Sequence, residues 1–219
     1  MSILKYLFPL LLILSSSLSA KDTTELHLFQ PALRLGFDAA GIIPRIWQPE
    51  TMQLEFTGDF EYRPNVFISA EGGYLDINIS KEDFDYNSDG IFFRLGADYN
   101  LLQKKEPERS DVIILSFRYG YSVLTHQAER VVITDPYWGT FNTSIDSETL
   151  NSHWVEAGFA LKTELFNNIF LGWALRGRYL LYQSEDPLLA PYNIPGFGKI
   201  KNNKTAVSIH YGIFYRIPF

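Results

Sequence analysis

The chain has 219 residues, enough for one domain, and aromatic side chains make up 16% of it beside 20% charged ones. A net charge of −6 and a pI near 5.2 exclude the basic surface that nucleic-acid binding requires. With no cysteine, the chain can form no disulfide, thiolate metal site, cysteine nucleophile or lipoprotein anchor.

In chain order, the first element is a secretory signal over residues 1–20. Lys5 supplies the positive charge, Leu7 to Leu14 a short apolar core, and Ser15 to Ala20 a small-residue exit. That apolar core falls short of the roughly 20 residues a spanning helix needs. Residues 21–30 then read as a periplasmic segment, and 31–219 as one body.

From residue 31 apolar side chains recur with period 2, the mark of a half-buried strand. Eight such runs follow: around Leu33–Phe37, Met52–Phe60, Val66–Tyr74, Ile91–Tyr99, Ile113–Tyr121, Val155–Leu161, Ile169–Leu181 and Val207–Phe219. Period alone does not separate a soluble sandwich, with its apolar face inward, from a membrane barrel, with that face outward. Three features favour the barrel: long apolar faces that end in tyrosine, polar faces that mix Gly and Ser with charge, and connections of alternating length. The short connections fall at 61–65 and 166–168 and the long ones at 41–51, 77–89, 125–149 and 183–204; 101–110 is intermediate. The expected fold is therefore all-β: a closed, eight-stranded, antiparallel up-and-down transmembrane barrel with a polar, plugged lumen.

Turning the polar face inward gives the expected interior. Its cations are Arg34, Arg94, Arg118, Lys162, Arg176, Arg178 and Arg216; its anions are Asp38, Glu55, Asp59, Glu71, Asp98, Glu156 and Glu164. Buried ions are tolerated when paired, and eight strands leave room only for side chains. The balanced set predicts an ion-pair plug, with a gated ion path as the other reading.

Four histidines, His27, His126, His153 and His210, lack the clustering of a metal site, so no metal and no cofactor are expected. His126 and His153 flank the longest loop and approach one another only if that loop folds so. Ser208 and His210 form the one nucleophile–base pair worth weighing. At i and i+2 their side chains stand roughly 6–7 Å apart, too far for a direct bond. Loop aromatics Tyr137, Trp138, Tyr192 and Phe197 are candidates either for partner contact or for capping the barrel mouth.

The chain resembles a family of uncharacterised bacterial outer-membrane β-barrel proteins, defined only as a domain of unknown function. The likeness runs from about residue 31 to the end. It rests on Leu33-Arg34-Leu35-Gly36-Phe37-Asp38, Phe117-Arg118-Tyr119-Gly120, Tyr137-Trp138-Gly139, His153-Trp154-Val155-Glu156, Leu171-Gly172-Trp173 and Ile194-Pro195-Gly196-Phe197. It implies the barrel and an outer-membrane location, and no activity. Tyr215, Ile217 and the terminal Phe219 resemble the assembly signal of such barrels, which implies recognition by the barrel-assembly machinery; Pro218 departs from that pattern. The functional expectation is a structural or surface-interaction protein among outer-membrane lipids. A lipid A or phospholipid-modifying enzyme and a small-solute channel are the other readings.

Overall fold

The computed structural model describes residues 31–38, 50–102, 111–199 and 204–217. The signal segment, residues 21–30, His27, Pro218 and Phe219 lie outside the described residues. Eight strands follow in chain order: β1 Leu33–Asp38, β2 Thr51–Arg63, β3 Val66–Ser80, β4 Phe84–Asn100, β5 Val112–Asp135, β6 Gly139–Phe166, β7 Ile169–Gln183 and β8 Thr205–Ile217. Each pairs antiparallel with the next, and β1 closes on β8 from Leu33↔Ile217 to Asp38↔Gly212, so the sheet is a closed barrel. Closure is what lets an all-β chain cross a bilayer, because no strand edge is left unpaired in hydrocarbon.

Two tight turns at one end set the register. Asn65 and Asn168 both take a left-handed backbone, φ 65, which Asn tolerates through local hydrogen bonding. In each turn a glutamate four residues earlier accepts the asparagine N–H: Glu61 from Asn65 at 3.1 Å and Glu164 from Asn168 at 2.7 Å. The same device is thus used twice, on β2–β3 and on β6–β7.

The apolar rows point away from the barrel. Phe56, Ile91, Phe93, Leu95, Phe117, Leu175 and Ile213 are all large and exposed, as are the tyrosines Tyr62, Tyr74, Tyr99, Tyr179 and Tyr215 near the row ends. Exposed hydrophobic surface that encircles a molecule fits lipid contact, with tyrosine at the two interfaces.

The outer connections differ from expectation. Residues 77–89 and 125–149 do not form loops: β3 and β4 run on to Ser80 and Phe84, and β5 and β6 to a tip at Asp135–Gly139. Beyond the bilayer the outward face need not be apolar, so the alternation fades although the ladder continues. Register shifts between His126 and Ala128, and between Ala128 and Val131, break the period further. Residues 183–199 do form an irregular connection, and part of it turns into the barrel mouth.

Candidate functional site

Inward positions carry the charges, and the interior is layered. Near the short-turn end Phe67, Val112, Ile114 and Phe170 are buried together with Arg34, whose guanidinium lies 4.5 Å from the Phe67 ring centre. Asp59 then takes Arg34 at 2.6 Å and Lys162 at 2.6 Å. Arg118 places one nitrogen 3.0 Å from both oxygens of Asp98.

Arg94 is the hub of the middle layer. It is fully buried and reaches Glu55 at 2.5 Å, Glu71 at 3.2 Å and Glu156 at 3.2 Å, carboxylates from β2, β3 and β6. Arg176 grips Glu71 with two 2.8 Å bonds, and Arg178 meets Glu156 at 2.6 Å. Glu164 and Arg216 stand apart from this network. They pair at 3.7 Å, part-exposed, at the short-turn end, where Arg216 also donates to Asn168 at 3.1 Å. A cavity of about 30 Å³ remains beside Asp38, Glu55, Lys162 and His210, room for about two waters.

An apolar layer lies between this network and the outer mouth. Phe92, Trp154 and Leu180 pack from the strands against Ile194 and Phe197 of the 183–204 connection. Gly196 has φ 72, and a Cβ there would stand 2.5 Å from the Phe92 ring, so the turn enters the barrel only with glycine. Arg178 ties the layers together by donating to the Phe197 carbonyl at 3.1 Å. Phe197 is therefore an interior side chain and no surface contact. Of the other three loop aromatics, Tyr192 is half-exposed beneath Lys199, whereas Tyr137 and Trp138 are 91% and 83% exposed at the β5–β6 tip. Tyr215 faces outward, with Ile217 ending β8 beside Leu33.

Ser208 and His210 are closer than strand spacing suggests: Oγ and Nε2 are 2.8 Å apart, because the side chains lean toward each other. His210 Nδ1 contacts Asp38, completing a serine–histidine–aspartate series. With Nδ1 carrying the proton toward Asp38, Nε2 offers a single lone pair. Arg178 Nη2 also lies 2.8 Å from that nitrogen. A guanidinium always donates, so it competes for the lone pair that would accept the serine proton. Asp38, Glu55 and His210 also offer three ligand atoms within 4.8 Å of one another. Arg94 and Arg176 already hold Glu55, and Arg178 already faces His210, so guanidinium charge occupies the position of a cation.

His126 and His153 lie on opposite faces. His153 is outward, accepting or donating a 2.6 Å bond with the Tyr119 hydroxyl beside the Tyr121 and Tyr182 rings. His126 is inward and buried, 3.3 Å from Asp186 of the 183–204 connection. Composition and spacing did not reveal this latch, nor the inward Phe92, Trp154 and Glu61. Glu61 was the most accessible of these, since the inward row of β2 simply continues past Asp59.

A closed ring of eight antiparallel strands with lipid-facing apolar rows defines the class of small outer-membrane β-barrels. The family described as a domain of unknown function, DUF6048, matches residues 2–219, and the chain belongs to it. No curated protein matches the chain. Among solved structures, a major outer membrane protein from Thermus thermophilus is similar with a TM-score of 0.51 and 13% identity, over 85% of this chain and 98% of that one. Ail, the attachment invasion locus protein of Yersinia pestis, is similar at 0.43 and 8%, over 85% and 97%. CarO2 of Acinetobacter baumannii is similar at 0.40 and 11%, over 85% and 98%.

Proposed function

We propose that this protein is a non-conducting, non-catalytic barrel of the outer membrane that presents its β5–β6 hairpin as an interaction surface. The observation that carries the reading is the hairpin itself. β5 has its last residue pair with β4 at Val131, and β6 its first with β7 at Ser152, so the hairpin stands clear of the barrel with Tyr137 and Trp138 at its tip. Exposed aromatics on a rigid support are the side chains that anchor contacts. The paired interior supports a closed barrel, and Arg178 beside His210 argues against a serine nucleophile. Export by a cleaved signal, insertion by the barrel-assembly machinery and residence among outer-membrane lipids belong to the same reading.

The test replaces residues 129–145 with a short turn. The shortened protein is expected to keep heat-modifiable folding, lose surface-partner crosslinking on whole cells and pass no steady current in planar bilayers. Steady current through the intact protein, or crosslinking that survives the replacement, sinks the reading. The enzymatic alternative has its own assay: Ser208→Ala is expected to leave the lipid A acylation pattern unchanged, and an altered pattern would restore it.

A further inference from the structure

The hairpin carries an open strand edge. β6 meets β7 in the ladder only from Ser152, with one further backbone bond from Ser184 N–H to the Asn151 carbonyl at 2.9 Å and the Ser184 hydroxyl accepting the Asn151 N–H at 2.7 Å. From Gly139 to Leu150 its second edge has no backbone partner among the described residues, and nearly all of that stretch is exposed. Which groups face outward follows from the register. Val132 gives its N–H to Asp83 across the β4 side at 2.8 Å, so it does not exchange backbone bonds with its β6 partner Asn142. Asn142 therefore aims its N–H and C=O at the open edge, and with period 2 so do Thr140 and Ser144.

We propose that this edge takes up an extended segment of another protein by strand addition, and that the segment is basic and alternates apolar with polar residues. This rests on the surface-interaction reading and names its mode. An open edge supplies main-chain bonds of fixed spacing, and its flanking side chains choose the guest. Here one flank is mainly apolar: Phe141 pairs with Ile133, both about half-exposed, and Ile145 pairs with buried Ala128, with Thr143 opposite Val131 between them. The other flank, Thr140, Asn142 and Ser144, is uncharged and polar. Charge sets the sign of the partner. Segments 76–89, 125–149 and 183–199 carry eleven carboxylates against Lys81, Arg130 and Lys199, and Arg130 is already committed to Asp85 at 2.7 Å. Asp146 and Glu148 lie on the open strand itself. The edge also lacks lysine and proline, the usual deterrents to pairing. A second copy is the poorer guest, because two barrels in one membrane point the same way and would set these carboxylates against each other.

The test uses the full chain in lipid nanodiscs and a short synthetic peptide alternating valine and threonine with lysine at one end. The peptide is expected to bind, and to slow hydrogen exchange at Thr140, Asn142 and Ser144. Asn142→Pro removes one edge donor and is expected to weaken binding about tenfold. The double variant Asp146→Lys with Glu148→Lys is expected to weaken it about as much, without a backbone change. No binding, binding indifferent to both edge variants, or equal binding of the same peptide ended in glutamate overturns the proposal. So does a dimer of this chain that Asn142→Pro dissolves, since the edge would then belong to a second copy. A conducting barrel would sink the broader reading by a separate measurement, leaving the peptide result to be judged on its own.

Discussion

Arg94 holds three carboxylates from three strands, and its full burial keeps bulk solvent from taking its place. Replacing it with methionine would keep much of the volume and leave Glu55, Glu71 and Glu156 facing one another with fewer cations. Removing one partner of a buried ion network costs about 3–5 kcal/mol, far more than an exposed pair is worth. Arg94→Met is therefore expected to lower the unfolding free energy obtained from a urea titration by an amount in that range, and the midpoint with it, whereas Arg130→Met, at an exposed pair, is expected to move both little. A midpoint unchanged by Arg94→Met would show that the network contributes no stability. Gly120 makes the complementary case for space. A Cβ there would lie 2.1 Å from the Trp154 ring, so Gly120→Ala must displace the indole from the apolar layer. Overpacking of this kind costs about 1–3 kcal/mol. The variant is expected to unfold at lower urea and to shift Trp154 fluorescence to the red; unaltered emission would mean that the ring sits elsewhere.

Among the elements, the connection at 183–199 is expected to lose stability with falling pH, because a histidine holds it to the barrel. Above the tyrosine belt, at the level of Thr125 and Thr149, His126 packs edge-on to Tyr86 and faces Asp186, with Glu148 as its register partner. Burial holds the His126 imidazole below the ordinary histidine range, and Asp186 and Glu148 only partly oppose that shift. The stability associated with neutral His126 is therefore complete above the unfolded-state value of about 6.5 and is lost as pH falls below it. After correction for intrinsic rates, hydrogen exchange in 183–199 is expected to quicken between pH 7 and pH 5. His126→Gln is expected to flatten that dependence, and a slope that survives the substitution would place the titration elsewhere. The elements also show where hydropathy stops informing. The strands were legible from Leu33 to Ile217 wherever lipid demands an apolar outward face. Above the bilayer that demand ends, and the continuation of β5 and β6 to Asp135 and Gly139 is written in backbone pairing, which leaves no hydropathy period.

For the molecule as a whole, two layers fill the barrel interior: a layer of paired charges and an apolar layer drawn from the mouth. Cutting only the apolar one, by Phe197→Ala with Trp154→Ala, is expected to leave planar bilayers silent because the ion network still fills the middle. Steady current from that double variant would make the apolar layer the sole barrier. The sequence by itself determined the class: eight alternating rows, an outward greasy face and a matched set of inward charges follow from the demand that lipid-facing backbone be paired and side chains sorted by solvent. It also identified Arg34, Arg94, Arg118, Arg176, Arg178 and their carboxylates as inward, since a two-residue period assigns every side chain to a face. Which carboxylate meets which guanidinium, that Ser208 and His210 touch, that Phe197 is interior while Trp138 is exposed, and that β6 leaves an edge open were decided only by the tertiary structure. These depend on barrel register and on how one connection folds back, and both are set by contacts between residues far apart in the chain, where local pattern carries no information.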